Sequence, residues 1–291
     1  MYKYIISPNI YIMLNSCYNF KGGVMKKLVI MYDWDQTLSP RYMSEYGMIK
    51  KCGFTSDSDY WKYCNEELSQ KYGMDRELSF LYSMVERSKL MGWDLTRKSL
   101  NAIGKKIEYF PGVLDWFERI NKYGLSKGVM VEHYIISSGI FEIIEGSKIF
   151  NCFRKVFASS YVYNERGVAI WPAFSINYTS KTQYIFRIKK NLIDDITDDS
   201  RINVKYPFQT VVPYSNMIYM GDGLTDIPCM KIVKDKGGNS FCLYTSSNPA
   251  SEVKAKEILN DGRVNFIVDA DYREGMAIDT KIKNIINNLT E

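Results

Sequence analysis

Short apolar runs alternate with amphipathic segments along most of the chain, and this alternation limits the folds that the chain can adopt. Runs rich in β-branched and aromatic residues, too short for helices, lie at residues 28–32, 133–136, 155–159, 216–220, 240–244 and 264–268. Segments with apolar residues at helical spacing separate most of them. Strands that alternate with helices favour a parallel sheet covered on both faces. The predicted fold class is therefore α/β, with a Rossmann-like parallel sheet flanked by helices.

One long segment, residues 42–108, departs from this alternation. It carries helical patterns at about 57–73, 75–92 and 96–107. A strand–helix–strand unit normally needs a single crossover helix. We therefore predict that residues 42–108 form a helical cap inserted into a core domain made of residues 25–41 and 109–291. The alternative is that these helices belong to the main helical layer.

The first 24 residues are expected to lie outside the fold. They mix apolar residues with proline and asparagine, and they lack the clean apolar run and cleavage site of a secretory signal. Met25-Lys26-Lys27 stands directly before the first strand and looks like a natural start. Residues 1–24 are therefore predicted to be an N-terminal extension that is either non-native or disordered. No apolar stretch approaches the roughly 20 residues of a membrane span.

Composition and charge argue against a nucleic-acid groove and against metal sites built from cysteine or histidine. The net charge is +5, and no five like charges stand in a row. This pattern gives no support for a nucleic-acid groove and only slight support for an anionic small ligand. The six cysteines are scattered without a CxxC pair, as is typical of reduced thiols in a cytoplasmic protein. The only histidine, His133, cannot build a histidine-rich metal site and is interpreted as structural. Nothing indicates the oligomeric state.

Two acids, Asp33 and Asp35, follow the first predicted strand at a spacing of two. Ligands of α/β sheets bind at the carboxyl ends of the strands. Two carboxylates at that edge would repel one another unless a cation shared the space. Hard oxygen ligands of this kind suit Mg²⁺. The alternative is an ordinary turn, in which aspartate is common.

Three further elements carry residues suited to phosphate or metal binding. Ser137-Ser138-Gly139 ends the second strand, where hydroxyl and backbone N–H groups can face an oxyanion, helped by a helix predicted at 140–148. Ser180 and Gln183 have the spacing of a capping box, which places Lys181 in the first turn of a helix. A cation there is locally unfavourable, and a residue that breaks a local rule is a candidate for function. Asp222 and Asp226 follow the 216–220 strand, with glycines on both sides of Asp222.

Taken together, these elements resemble those of the haloacid dehalogenase-like (HAD) hydrolase superfamily. The family pattern is D-x-D-x-T, a strand-end Ser or Thr, a Lys and G-D-x-x-x-D. It is matched by Asp33-x-Asp35-x-Thr37, Ser137, Lys181 and Gly221-Asp222-Gly223-Leu224-Thr225-Asp226. The resemblance spans about residues 26–270 and favours the phosphatase branch, in particular phosphoserine phosphatase-like members. Trp34 and Gln36 depart from the residues common there, at positions that carry no chemistry.

The resemblance implies a Mg²⁺-dependent phosphatase that hydrolyses a small phosphorylated metabolite. Asp33 would be the nucleophile that forms an aspartyl-phosphate, and Asp35 the general acid and base. Thr37, Ser137 and Lys181 would hold the phosphoryl oxygens, with Ser138 as an alternative to Ser137. Mg²⁺ would bind Asp33, the backbone carbonyl of Asp35, and Asp222, with Asp226 in support. An acid at position 35 favours phosphate esters, because a halide leaving group needs no proton.

The identity of the substrate does not follow from the sequence. Glu45, Arg76, Arg87 and Lys89 of the predicted cap could contact a substrate, but a solvated helix face explains them equally well. A phosphotransferase with the same intermediate is the alternative enzyme. A non-catalytic binding or regulatory protein on the same fold is the alternative outside enzymes.

Overall fold

A single sheet of seven strands organises the computed structural model, which describes residues 25–196, 200–205 and 211–291. Its order is β4-β3-β2-β1-β5-β6-β7. The strands are β1 (Lys26–Tyr32), β2 (Val129–Ile140), β3 (Lys155–Tyr163), β4 (Ala169–Phe174), β5 (Met217–Gly221), β6 (Asn239–Tyr244) and β7 (Phe266–Asp269). All neighbours pair in parallel except β3 and β4, which form an antiparallel hairpin. The predicted α/β class is confirmed.

Helices connect the strands at most crossings. They are α1 (Met48–Lys51), α2 (Asp57–Tyr63), α3 (Arg76–Leu90), α4 (Arg97–Gly104), α5 (Val113–Ser126), α6 (Phe141–Glu145), α7 (Lys181–Lys189), α8 (Ile227–Asp235), α9 (Pro249–Asn260) and α10 (Ala277–Asn288). A π-helical segment, Cys64–Gln70, continues α2. Among the described residues, no helix is long and apolar enough to cross a membrane.

The central strand β1 shows why the helices cover both faces. Its side chains alternate, so Leu28, Ile30 and Tyr32 join one hydrophobic cluster while Val29 and Met31 join another. The first cluster includes apolar residues of α5 and α10, and the second includes those of α7, α8 and α9. Because β1 is buried on both faces, its carboxyl end is fixed on both sides.

The block between β1 and α5 is helical, as expected, although α2 continues as a π-helix rather than an α-helix. Ser56 caps α2, and Asp75 and Thr96 cap α3 and α4. The hydrophobic cluster on the α5 face of the sheet continues without interruption into this block. The division into a core and a separate cap therefore stays a prediction.

Helix α4 packs against α6 through close contacts between backbone atoms. A Cβ on Gly104 would lie 2.0 Å from the carbonyl oxygen of Ile143, and one on Gly146 would lie 2.2 Å from that of Asn101. Arg97 also forms a 2.7 Å ion pair with Glu145. Only glycine allows two helices to approach this closely. Helix α4 is thus packed closely against α6.

One prediction falls outside the described residues, that of the N-terminal extension, residues 1–24. Between α7 and β5, residues 197–199 and 206–210 are also not described.

Candidate active site

The predicted site residues meet at one edge of the sheet because three neighbouring strands end there. Asp33 follows β1, Ser137 and Ser138 lie near the end of β2, and Asp222 follows β5. The backbone N–H of Asp33 donates to the carbonyl of Met220 at 2.8 Å and so extends the pairing of β1 with β5. Parallel strands present their carboxyl ends together, which is where ligands bind in such sheets.

Asp33, Asp222 and Asp226 form a compact group of carboxylates. Each offers an oxygen, and these oxygens lie within 4.8 Å of one another. The Lys181 ammonium lies 3.0 Å from Asp33 Oδ1 and 2.8 Å from Asp226 Oδ1. The carboxylates of Asp33 and Asp226 are buried, that of Asp222 is partly exposed, and Lys181 is 1% exposed. A buried lysine between two buried acids partly balances a cluster that would otherwise carry three negative charges.

The pKa values of the acids reflect the excess of negative charge. Burial raises the pKa of Asp33 to about 6, with repulsion from Asp226 adding to the effect and Lys181 opposing it. Burial and the charges of Asp226 and Asp33 raise the pKa of Asp222 to about 8, against the opposing charge of Lys254. Burial lowers the pKa of Lys181, but Asp226 and Asp33 raise it by more, so this lysine stays charged.

This donor set fits a small divalent cation. Three carboxylate oxygens lie within 4.8 Å of one another, and two of them belong to groups with raised pKa values. Such oxygens are hard ligands, and one lysine does not balance their negative charge. A cation there would neutralise the repulsion that raises those pKa values. The carboxyl group of Asp35 is not in this group of acids.

Asp35 is instead anchored to the start of the helical block. Its Oδ1 accepts a 2.9 Å hydrogen bond from the backbone N–H of Met43. Burial, followed by repulsion from Asp33, raises the pKa of Asp35 well above its usual value, although the Met43 bond opposes the shift. A carboxyl group with a raised pKa can hold a proton near neutral pH, as a general acid must.

The loop that carries the two acids is a tight turn. Gln36 has φ 57°, in the left-handed region, and the N–H groups of Thr37, Leu38 and Ser39 all point to the carbonyl of Trp34. The Gln36 side chain donates to the carbonyl of Pro40 at 2.6 Å, which helps to hold this conformation. The turn directs Asp33 and Asp35 to the same edge of the sheet.

The predicted phosphate-binding hydroxyls differ in their surroundings. Thr37 is fully buried, and within the described residues its Oγ1 has no hydrogen-bond partner; the buried Oγ of Ser138 has none either. The Ser137 Oγ accepts from the N–H of Gly139 at 3.0 Å and keeps its own proton to donate. The pairing of β2 with β3 shifts register between Ile136 and Ile140, so this strand end is irregular. The choice between Ser137 and Ser138 therefore stays open.

Two local predictions near these residues are wrong. Ser180 ends up in helical conformation and its hydroxyl bonds to Asn177, so no capping box with Gln183 forms, although the helix does begin at Lys181. The turn at 177–180 supplies the first backbone bonds instead. The helix after Ser138 is the five-residue α6 rather than a helix over 140–148, because β2 continues to Ile140.

Two contributors to the site carry no signal in the sequence. Tyr219 of β5 donates its hydroxyl to Asp226 Oδ1 at 2.7 Å, and Met43 supplies the N–H that holds Asp35. Tyr219 looks like any strand residue, since the two faces of a strand buried on both sides are indistinguishable. Met43 acts through its backbone, which composition cannot reveal.

Gly221 packs directly against the side chain of Asp226. A Cβ at this position would lie 2.5 Å from the carboxyl carbon of Asp226, whereas one at Gly223 would meet only the flexible end of Lys254, at 3.0 Å. Gly221→Ala should therefore displace Asp226 and lower the affinity for Mg²⁺ about 5- to 150-fold, as crowding typically costs about 1–3 kcal/mol. Titration of Mg²⁺ by calorimetry checks this. Gly223→Ala is the matched control, and equal losses in both variants would contradict the assignment.

The raised pKa values predict how stability depends on pH without metal. Between about pH 4 and pH 8 the folded state binds protons on Asp33 and Asp222 that the unfolded state has released, so the free energy of unfolding should fall as pH rises. From pH 5 to pH 8, the free energy of unfolding of the wild-type protein should fall by about 1 kcal/mol or more beyond any fall seen in Asp222→Asn. Urea unfolding of both proteins in EDTA measures it. Saturating Mg²⁺ should remove the difference between the two proteins in how the free energy of unfolding changes with pH. A wild-type protein that gains stability from pH 5 to pH 8 without metal would refute the prediction.

Comparison with known proteins supports the fold. No model of a known protein family matches the chain. An uncharacterized protein of Borreliella burgdorferi is 23% identical over 287 residues, which cover 89% of this chain and 95% of that protein.

Two solved structures superpose on nearly the whole chain. One is a HAD family hydrolase from Salmonella enterica serovar Typhi, with a TM-score of 0.56 at 16% identity, covering 96% of this chain and 80% of that one. The other is a probable phosphoserine phosphatase from Vibrio cholerae, with a TM-score of 0.55 at 14% identity, covering 92% and 67%. These likenesses show that the chain shares the fold of these two proteins, as the resemblance seen in its motifs predicts.

Proposed function

We propose that this protein is a Mg²⁺-dependent phosphatase that hydrolyses a small phosphorylated metabolite through an aspartyl-phosphate on Asp33. The observation that carries the proposal is the placement of Asp33 at the carboxyl end of β1, 3.0 Å from the buried Lys181 and close to the carboxylates of Asp222 and Asp226. The HAD-like fold supports it, and one protein with this fold carries the name probable phosphoserine phosphatase.

The first half of the reaction transfers the phosphoryl group to the protein. A carboxylate oxygen of Asp33 forms a bond to phosphorus while the bond from phosphorus to the ester oxygen breaks. Asp35 gives its proton to the departing oxygen, a role suited to its raised pKa. The Met43 N–H keeps the Asp35 carboxyl in place for this transfer.

The second half returns the protein to its starting state. Asp35, now ionised, takes a proton from a water molecule whose oxygen attacks phosphorus. The bond between phosphorus and Asp33 breaks, and inorganic phosphate leaves. One side chain thus serves as acid and then as base, and Asp33 regains its carboxylate.

Positive charge and hydroxyl donors hold the transferring group. Lys181, Thr37 and either Ser137 or Ser138 would bind the phosphoryl oxygens. The hydroxyls of Thr37 and Ser138, which have no hydrogen-bond partner among the described residues, would be available as donors. Asp33, Asp222 and Asp226, with the backbone carbonyl of Asp35, would hold Mg²⁺. When bound, Mg²⁺ supplies charge that stabilises the phosphoryl group in transfer.

We also propose that the helical block closes over this site. The close packing of Gly104 and Gly146 supports grouping α4 with the sheet, so that the part free to move would be residues 42 to about 93 rather than 42–108. Because the first ordered turn of this part holds Asp35 through Met43, closure and the position of the general acid would be linked.

Phosphate release from a panel of phosphorylated metabolites tests the proposal. The purified protein with Mg²⁺ should release phosphate from at least one member, and EDTA should abolish the release. Transfer of phosphate to alcohols at the expense of hydrolysis would indicate a phosphotransferase. No release from any compound would contradict an enzymatic function.

A further inference from the structure

The turn that leads into Lys181 is organised by one side chain, that of Asn177. Its Oδ1 accepts hydrogen bonds from the backbone N–H of Ser180 at 2.9 Å and from the hydroxyl of Thr179 at 2.8 Å. Its backbone carbonyl accepts the N–H of Lys181 at 3.0 Å, where α7 begins. An asparagine that binds the chain a few residues ahead fixes a turn in this way. The direction in which Lys181 leaves the turn therefore depends on Asn177.

The same side chain reaches the helical block. Because the N–H of Ser180 can only donate, the oxygen of the Asn177 amide must face the turn, and its NH₂ group faces away from it. This NH₂ group donates to Oδ2 of Asp75 at 3.3 Å. The other carboxylate oxygen of Asp75 accepts from two backbone N–H groups and so caps α3. One carboxylate thus joins the start of α3 to the turn before Lys181.

The residue before Asn177 is connected to the end of β2. The backbone N–H of Ile176 donates to the hydroxyl of Ser159 at 3.0 Å, and this hydroxyl donates to the carbonyl of Ser138 at 3.0 Å. Ile176 and Ser159 are both fully buried, so these bonds are shielded from water. This segment therefore connects Lys181 to the strand end that carries the other proposed phosphate-binding group.

We propose that Asn177 is a positioning residue for Lys181, and that the Asp75–Asn177 hydrogen bond couples closure of residues 42 to about 93 to the binding of the phosphoryl group. The inference rests on the proposed function, in which Lys181 binds that group and the helical block closes over it. With the block closed, Asp75 fixes the Asn177 amide and with it the turn that positions Lys181. With the block open, the amide loses this partner and the turn is held less firmly. Phosphoryl binding therefore favours closure by the same factor.

Two substitutions break this hydrogen bond without removing either local cap. Asn177→Asp keeps the oxygen that the turn needs but places a second carboxylate against Asp75. Asp75→Asn keeps an oxygen that caps α3, since asparagine caps helices as well as aspartate does, but places two NH₂ groups against each other. Each should weaken the binding of inorganic phosphate, measured by calorimetry with Mg²⁺ present, about 2- to 12-fold, as expected for one hydrogen bond. The KM for p-nitrophenyl phosphate should rise by a similar factor, with a smaller change in kcat.

Combining the two substitutions reverses the hydrogen bond instead of removing it. In the double variant, Asp75→Asn with Asn177→Asp, the NH₂ group at position 75 donates to the carboxylate at position 177. Both caps keep their oxygen acceptors, and the total charge equals that of the wild-type protein. The phosphate affinity should therefore return to within about twofold of the wild-type value. If the two residues acted only through their separate local structures, the two losses would multiply instead.

Asn164→Asp is the matched control. Asn164 also holds a turn with its Oδ1, which accepts from the N–H groups of Arg166 and Val168 at 3.0 Å in the hairpin between β3 and β4. The variant thus adds the same charge at the same kind of turn. Its phosphate affinity should stay within about twofold of the wild-type value.

The outcomes separate this inference from the proposed function. Losses that multiply in the double variant, single variants with unchanged phosphate affinity, or an equal loss in Asn164→Asp would overturn the inference while the phosphatase function stands. Phosphate binding is measured without turnover. A wild-type protein that shows the expected pattern of phosphate affinities but does not hydrolyse p-nitrophenyl phosphate would support the inference and contradict the phosphatase function alone.

Discussion

Asp33→Asn is expected to lower the rate of phosphate release at least about a thousand-fold, which corresponds to roughly 4 kcal/mol of lost transition-state stabilisation. The amide is almost the same size as the carboxylate, but it is not a nucleophile and cannot form the aspartyl-phosphate. Steady-state phosphate release under saturating substrate and Mg²⁺ measures the effect.

The fold should survive this change. One of three crowded carboxylates loses its charge, while Lys181 keeps its 2.8 Å partner Asp226. The melting temperature without metal should therefore stay the same or rise. Asp115→Asn, an exposed acid in the first turn of α5, is the matched control and should retain full activity. Activity of Asp33→Asn near that of the wild type would rule out Asp33 as the nucleophile.

Lys181→Met should both stop the reaction and destabilise the fold. The variant keeps most of the side-chain volume but leaves the buried carboxylates of Asp33 and Asp226 without their cation. Removing one partner from a buried ion pair typically costs about 3–5 kcal/mol. We expect a loss of that size in the free energy of unfolding at pH 8 without metal, measured with urea.

The conditions of this measurement separate charge from packing. At pH 5, or with Mg²⁺ bound, the carboxylates repel one another less, so the loss in the free energy of unfolding should be smaller. Lys189→Met at the other end of the same helix is the control; its ammonium lies 5.2 Å from the Tyr214 ring centre, a contact worth about 1 kcal/mol or less. A Lys181→Met loss that does not depend on pH or Mg²⁺ would show that the lysine matters for packing alone.

The sequence predicted the parts of the site that repeat a local rule. Asp33 and Asp222 could be placed because each follows a buried strand, and parallel strands end together. Lys181 could be singled out because a cation at a helix start is unfavourable, and the structure shows the two acids that offset it. These inferences depend on short stretches of chain and on periodicity.

What the sequence did not predict depends on how the chain turns in space. The hydrogen bond from Tyr219 to Asp226 and the contact of Gly221 with the same side chain require the path of the chain after β5. The Ser180 capping box fails because Asn177, three residues earlier, binds the serine hydroxyl. The joining of α4 to α6 depends on two glycines 42 residues apart, Gly104 and Gly146, which no local pattern connects.

The most direct test of the aspartyl-phosphate is to trap it. Asp35→Asn should still transfer phosphate from p-nitrophenyl phosphate to Asp33, because nitrophenolate leaves without a proton, but it lacks the base that activates water for the second step. Rapid acid quenching followed by peptide mass spectrometry should therefore find the added mass of a phosphoryl group on Asp33. A burst of nitrophenolate with no phosphoryl group on the protein, or a phosphoryl group on another residue, would contradict the mechanism.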